Sequence, residues 1–109
     1  MPIKEIQGDK VEDEIKKSEY PISIIKFSAT WCKPCSMATT MIKDLDQKGK
    51  LNDVMIYEID IEHDNSMHYA SRMGVRGVPL FLKMDKECNV LDQKVGVSGP
   101  EQFLELCKI

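Results

Sequence analysis

Two cysteines, Cys32 and Cys35, stand at the junction between an apolar segment and a segment with helical spacing. The residues before them, 22–27, are mostly β-branched and apolar, which is typical of a strand covered on both faces. After them, apolar residues from Met37 to Leu45 recur at helical spacing. The sequence therefore predicts that a strand ends and a helix begins at the cysteine pair.

This position has chemical consequences for the thiols. A cysteine in the first turn of a helix lies near unpaired backbone N–H groups and the positive end of the helix dipole, and both favour the reactive thiolate. Lys33 adds a positive charge beside the pair, and Pro34 suits a first turn, where no N–H bond is lost. A C-x-x-C motif between a strand and a helix is typical of a redox-active dithiol.

A zinc site is the alternative interpretation of C-x-x-C, because such a pair can supply half of the ligands. The remaining candidates are poorly spaced: Cys88 and Cys107 are single, and His63 and His68 do not share a helix face. We therefore favour the redox interpretation and predict no metal. We expect Cys107 to be a small buried side chain and Cys88 to be an exposed, incidental thiol.

Length and charge narrow the class of protein. The 109 residues predict one domain spanning 1–109. A net charge of −3 without a lysine- or arginine-rich run disfavours nucleic-acid binding, and no apolar stretch reaches membrane-spanning length. The N-terminus has no apolar signal core, so we expect a cytoplasmic protein whose cysteines are thiols or catalytic groups.

Alternating strand and helix patterns run along the chain in the order βαβαβαββα, which predicts an α/β fold with parallel and antiparallel strand pairs. The predicted N-cap of the first helix is Asp9. The third helix is predicted to be capped by Asp64, Asn65 or Ser66. Asp60 and His63, which follow the third strand, are interpreted as loop and cap residues. The predicted strands are Ile3–Ile6, Ile22–Phe27, Val54–Asp60, Leu80–Met84 and Val90–Val95. The predicted helices run from Asp9 to about Ser18, from Cys32 to Gly49, from about Asp64 to Gly74, and from Gly99 to Cys107. Met37, Met41 and Leu45 lie on one side of the second, and the third carries Met67, Ala70, Ser71 and Met73.

Three blocks resemble the thioredoxin family and occur in its order over nearly the whole chain. F-S-A-T-W-C-K-P-C at 27–35 resembles the active site, whose usual core is W-C-G-P-C. G-V-R-G-V-P at 74–79 resembles the cis-proline loop, and Val95-Gly96 with Ser98 resembles the end of the last strand. The resemblance implies a single thioredoxin-like domain: a central mixed five-stranded sheet flanked by four helices.

The resemblance also implies the activity, that of a thiol–disulfide oxidoreductase that reduces protein disulfides. Cys32 is then the nucleophile, and Cys35, about one helical turn further, is the resolving cysteine. Trp31 would shield the pair and contact the client protein, although a core aromatic is the alternative interpretation of this residue.

A client-binding surface is implied on the same grounds. Pro79 would be a cis-proline lying against the cysteines, and the backbone of Val78 would pair with an extended client segment. Trp31, Val75, Val78 and Gly96 would form its mostly apolar surface. Gly77 and Gly96 would leave room for the client backbone.

The sequence departs from the family pattern in two places, at the buried charged pair and between the two cysteines. Lys26 occupies the position of a buried aspartate that is thought to exchange a proton with the resolving cysteine, and Ile56 appears at the position of its usual lysine neighbour. With Glu58 as the candidate partner of Lys26, we expect this lysine to favour the thiolate and the resolving step to lack a dedicated base. Lys33 replaces the usual glycine, and we expect it to make the disulfide more oxidising.

The resemblance implies disulfide-containing client proteins as substrates, no bound cofactor, and recycling by an NADPH-dependent flavoprotein, a thioredoxin reductase. We expect a monomer that binds neither nucleic acid nor membrane. Two alternatives stay open: an oxidoreductase with a dedicated client or a more oxidising role, and a non-catalytic binding module built on the same fold. A glutaredoxin-like role is disfavoured, because the motif is not of the C-P-Y-C type.

Overall fold

The computed structural model describes residues 3–96 and 99–108, and these form one sheet flanked by helices. The order βαβαβαββα is the predicted one, and the α/β class is confirmed. Ser98, part of the third matched block, lies outside the described residues. The strands are β1 (Ile3–Glu5), β2 (Ile22–Ser28), β3 (Val54–Asp60), β4 (Leu80–Met84) and β5 (Val90–Val95), and the helices are α1 (Gly8–Lys17), α2 (Lys33–Gln47), α3 (Asp64–Arg72) and α4 (Pro100–Leu106).

The sheet is mixed, as predicted, with strand order β1-β3-β2-β4-β5. The pairs β1/β3 and β2/β3 are parallel, and β2/β4 and β4/β5 are antiparallel. In this register Lys26 lies between Glu58 of β3 and Phe81 of β4. Within residues 3–96 and 99–108, no helix combines the length and the apolar character needed to cross a lipid bilayer.

The core has two layers, one on each face of the sheet, because successive residues of β2 point to opposite sides. Ile24 packs with the residues of α2 and α4, where Phe81 and Phe103 make an edge-to-face contact at 5.5 Å. Ile25 packs with those of α1 and α3, and there Phe27 stacks on Tyr69 at 5.9 Å. All seven residues of β2 are buried, so both faces of the central strand are covered.

The ends of several elements differ from the prediction. Strand β1 ends at Glu5, and α1 begins at Gly8 with Gln7 as its N-cap, so the predicted cap Asp9 lies inside the first turn. Helix α3 is capped by His63, whose Nδ1 accepts the N–H of Asn65 at 3.1 Å, and not by residues 64–66. Neutral imidazole can replace the hydroxyl or carboxylate that the usual N-cap preferences favour.

Met37, predicted on the same side of the second helix as Met41 and Leu45, is exposed instead, with 65% of its surface accessible, and Met67 of α3 is 55% accessible. The buried face of α2 consists of residues 35, 38, 42 and 45, spaced by three and four positions. Met37 is one position off this stripe and therefore points away from the sheet. Met41 lies at its border and packs against the core.

Helices α1 and α3 approach closely at Gly8. A Cβ at this position would lie 2.9 Å from Cβ of Tyr69 and 3.0 Å from Cα of Ser66. The buried N–H of Gly8 donates to Oγ of Ser66 at 2.8 Å. The absence of a side chain at Gly8 therefore lets a first-turn N–H of α1 find its acceptor on α3.

We expect Ser66→Ala to lower the free energy of unfolding by about 1–3 kcal/mol, because it leaves the buried N–H of Gly8 without its acceptor. The measurement is urea unfolding followed by circular dichroism. Ser71→Ala, an exposed serine of the same helix, is the matched control and should change stability by less than about 0.5 kcal/mol. Equal effects of the two substitutions would contradict the assigned role of this hydrogen bond.

Candidate active site

Cys32 and Cys35 form a disulfide with their Cα atoms 5.3 Å apart, at the predicted junction between β2 and α2. Cys32 is the N-cap of α2, and its Sγ accepts the backbone N–H of Cys35 at 3.2 Å. Pro34 occupies the first turn without loss of a helical hydrogen bond. An N–H group of the helix terminus is thus directed at the sulfur of Cys32.

The disulfide is shielded on its inner side. Cys32 and Cys35 are 5% and 2% exposed and pack with Ala29, with Ile61 and Val78 bordering this small cluster. Cys32 is therefore less accessible in the disulfide form than a helix end suggests.

Exposed side chains surround the cysteines in sequence. Trp31 is 67% exposed, which rules out the interpretation as a core aromatic. Lys33 and Pro34, the first two residues of α2, are exposed as well. The motif therefore presents an indole and a cation to solvent beside the buried disulfide.

The second matched block packs against the cysteines through Val78. The Val78–Pro79 peptide bond is cis, as the resemblance implies. The carbonyl of Pro79 accepts the N–H of Gly96 at 2.8 Å, and Gly96 has a φ of +67°, which favours glycine. Val75, which belongs to the same block, is partly buried and packs against the core layer that α1 and α3 cover.

A buried ion pair lies next to the disulfide. The side chain of Lys26 is 0% exposed and that of Glu58 is 17% exposed, and Nζ of Lys26 donates to Oε2 of Glu58 and to Oγ of Ser28. Oε2 also accepts from Oγ of Ser28 at 3.1 Å and from Oγ1 of Thr39 at 2.8 Å. The candidate partner Glu58 is thus the actual one.

Ile56, which the resemblance puts at the position of the usual lysine neighbour, does not face Lys26 in the strand register. It pairs with Ile24 of β2 and Ile3 of β1, whereas Glu58 is the residue opposite Lys26. Residues two positions apart on a strand share a face, so Ile56 and Glu58 point to the same side of β3. The charge of Lys26 is therefore compensated and does not act as an isolated cation.

Burial and pairing act in opposite directions on this pair. Burial lowers the pKa of Lys26 below its usual value, although the hydrogen bond and charge of Glu58 oppose the shift. Burial alone would raise the pKa of Glu58, but the hydrogen bonds from Lys26, Thr39 and Ser28, with the lysine charge, lower it overall. Glu58 is consequently ionised at neutral pH.

A cleft of about 600 Å³ opens beside the disulfide. Both cysteines line it together with Thr39 and Glu58, and Glu5, Asp60 and His63 also border it. Sequence reasoning missed Thr39, because a threonine inside a helix carries no signal of a cross-element hydrogen bond. The cleft places a carboxylate and a hydroxyl on the same side of α2 as Cys35.

The other two cysteines lie elsewhere. Cys107 is buried, as expected, and burial raises the pKa of its thiol to about 12. Cys88 is half-buried and not exposed as expected, and its Sγ lies 3.7 Å from the carbonyl oxygen of Glu12. Burial raises the pKa of this thiol as well. Within the described part of the chain, no three His, Cys, Asp or Glu side chains are grouped to hold a metal ion.

Comparison with known proteins extends these findings. The thioredoxin family model matches residues 2–108. A thioredoxin from Rickettsia bellii is 30% identical over 94 residues, which cover 86% of this chain and 85% of that protein. A thioredoxin from Bacillus subtilis is 31% identical over 85 residues, which cover 78% of each chain.

Solved structures agree with the sequence matches. A mutant thioredoxin from Halobacterium salinarum superimposes with a TM-score of 0.79 at 26% identity, covering 96% of this chain and 87% of its own. Thioredoxin f from spinach chloroplast superimposes with a TM-score of 0.82 at 21% identity, covering 96% and 83%, and shares the fold. The chain belongs to the thioredoxin family and is a thiol–disulfide oxidoreductase of the protein-disulfide reductase type.

Proposed function

We propose that this protein reduces disulfides of client proteins with Cys32 as the nucleophile and Cys35 as the resolving cysteine. The observation that carries the assignment is the position of Cys32 as N-cap of α2, with its Sγ accepting the N–H of Cys35. A negative charge on this sulfur is stabilised by the helix terminus, whereas Cys35 is the third residue of the helix and is 2% exposed. Cys32 is therefore the better attacking group.

The reaction is two successive thiol–disulfide exchanges. The thiolate of Cys32 attacks one sulfur of the client disulfide, forming a mixed disulfide and releasing the other client sulfur as a thiolate that takes up a proton. Cys35 then loses its proton and attacks Sγ of Cys32, which releases the second client thiol and forms the Cys32–Cys35 disulfide. Two electrons pass from the protein to the client.

The client segment would bind beside the disulfide, on a surface formed by Trp31, Val75, Val78, Pro79 and Gly96. Exposure of Trp31 and contact of Val78 with the cysteines support this assignment. Among the described residues other than its chain neighbours, none has an atom within 4 Å of where a Cβ of residue 96 would lie, which supports room for an approaching backbone there. Lys33 and Pro34 would shape the other side of the site.

The physiological setting completes the proposal. A single domain over 1–109, working as a cytoplasmic monomer without a bound cofactor, would receive electrons from an NADPH-dependent flavoprotein reductase. The family match over residues 2–108 and the one continuous sheet support the single domain. The negative net charge supports protein clients over nucleic acid.

The roles of the two cysteines predict opposite outcomes of single substitutions. With insulin as the client, Cys35→Ser should accumulate a mixed disulfide, seen on a non-reducing gel, because the resolving thiol is missing. Cys32→Ser should form none and lose turnover by at least about 100-fold. Cys88→Ser is the control and should behave as the parent. Trapping through Cys35 in place of Cys32 would refute the assignment.

A more oxidising role is the second candidate, and the exposed cation Lys33 in the first turn of α2 favours it. A positive charge there stabilises the reduced, thiolate-bearing form. We expect Lys33→Gln to make the reduction potential more negative by about 10 mV, or about 0.5 kcal/mol, in equilibration with glutathione. Lys43→Gln, an exposed lysine further along α2, should leave it unchanged. An unshifted potential for Lys33→Gln would remove the basis for this second role.

A further inference from the structure

The ion pair of Lys26 and Glu58 is connected to the helical turn of the resolving cysteine. Oγ1 of Thr39 lies 3.1 Å from the carbonyl oxygen of Cys35 and 2.8 Å from Oε2 of Glu58. A hydroxyl has one hydrogen, and the shorter contact to a charged acceptor takes it. Thr39 therefore holds the carboxylate of Glu58 close to the turn that carries Cys35.

Of the two charged groups, Glu58 is the one that lines the cleft with both cysteines, while Lys26 is fully buried behind it. Oε2 receives hydrogen bonds from Lys26, Ser28 and Thr39. Among residues 3–96 and 99–108, none donates a hydrogen bond to Oε1. One carboxylate oxygen is thus fixed, and the other retains its capacity to accept a proton.

The resolving step needs such an acceptor, because Cys35 attacks as a thiolate and must first lose its proton. Loss of the proton to bulk solvent would leave a net negative charge in a poorly solvated site, which is costly. Transfer within the cluster of Lys26, Glu58 and Cys35 keeps its net charge at zero. The ammonium of Lys26, released from its pairing with a neutralised Glu58, would then stabilise the new thiolate.

Other titratable groups face this site. Glu5 of β1 lies opposite Glu58, and Asp60 and His63 border the same cleft. Glu5 and His63 are exposed, and Asp60 already accepts the N–H of Glu62 at the end of β3. Within the described residues, Glu58 is the carboxylate that accepts the hydroxyl of Thr39, which lies one turn after Cys35 in α2.

We propose that Glu58 accepts the proton of Cys35 during resolution of the mixed disulfide, with Thr39 as the residue that positions its carboxylate. The inference rests on the proposed roles of Cys32 and Cys35. It replaces the sequence-based expectation that a lysine at position 26 leaves the resolving step without a base: the base comes from β3 and not from β2.

The proposed step conserves the proton and the electrons of the exchange. The proton of the Cys35 thiol passes to Glu58, directly or through one water, and the thiolate attacks Sγ of Cys32. The Cys32–Cys35 bond forms, the bond between Cys32 and the client sulfur breaks, and the departing client thiolate takes up the proton that Glu58 carries. Glu58 ends the cycle ionised and paired with Lys26 again.

The test follows resolution on a chromophoric disulfide. The reduced protein, in a Cys88→Ser background, is mixed with excess 5,5′-dithiobis(2-nitrobenzoate), and absorbance reports two releases of thionitrobenzoate. The first reports attack by Cys32 and the second, independent of reagent concentration, reports resolution by Cys35. Over about pH 5.5–7.5, internal transfer to Glu58 predicts a nearly flat rate of the second release in the parent.

We expect Glu58→Gln to slow the second release about 10- to 100-fold at pH 6 and to make it rise about tenfold for each pH unit, since the proton must then go to solvent. Thr39→Val should slow it less, and Thr40→Val is its matched control. Thr40, the next residue of α2, is exposed and donates to the carbonyl of Ser36 at 3.2 Å. Glu62→Gln, an exposed carboxylate after β3, should match the parent.

Glu58→Gln leaves Lys26 buried without a carboxylate, so the double variant Lys26→Gln/Glu58→Gln, which buries no unpaired charge, is measured beside it. Slow and steeply pH-dependent resolution in this variant supports the proposal. Parental rate and pH dependence of the second release in either variant, with a normal first release, would overturn it and leave the proposed function intact. Absence of a second release in the parent would instead overturn the roles of the two cysteines.

Discussion

The fold and the site both depend on the complete burial of β2. This strand lies at the centre of the sheet, paired with β3 on one side and β4 on the other, and all of its residues are buried. A strand of this kind requires a covering layer on each face, and the two helical layers supply it. The turn that carries Trp31 and the N-cap Cys32 follows directly from this buried central strand.

Burial imposes a second condition, because one residue of β2 is a lysine. An unpaired ammonium inside the sheet would cost several kcal/mol, and removal of one partner from a buried ion pair typically costs about 3–5 kcal/mol. Glu58 on β3 meets this condition, and Ser28 and Thr39 add two further hydrogen bonds to the same oxygen, Oε2, of its carboxylate. Relative to the family pattern of an aspartate on β2 with a lysine on the next strand, the two charges are exchanged between strands, and the neutrality of the pair is kept.

The sequence was sufficient for the order of elements, the mixed sheet and the position of the cysteine pair, because each depends on local periodicity or on a specific motif. It was insufficient where a contact between distant elements decides the outcome. The start of α1 depends on a hydrogen bond from Gly8 to Ser66, 58 residues away. Glu58 was already a candidate partner of Lys26 from the sequence, but the hydrogen bonds of its carboxylate with Ser28 and Thr39 depend on how β2, β3 and α2 pack together. Thr39 gains its role only because α2 packs over β3.

The two cysteines acquire different properties from a separation of only one helical turn. The sulfur of Cys32 faces an N–H group at the positive end of α2, and this environment favours its anion. Cys35 lies in the first turn of the helix and is 2% exposed, beside an ion pair that is already neutral, and burial there disfavours an additional anion. A dithiol in these surroundings carries its negative charge on the outer sulfur at rest. The inner sulfur gains that charge only when the carboxylate is neutralised, so the geometry couples the second exchange to the movement of one proton.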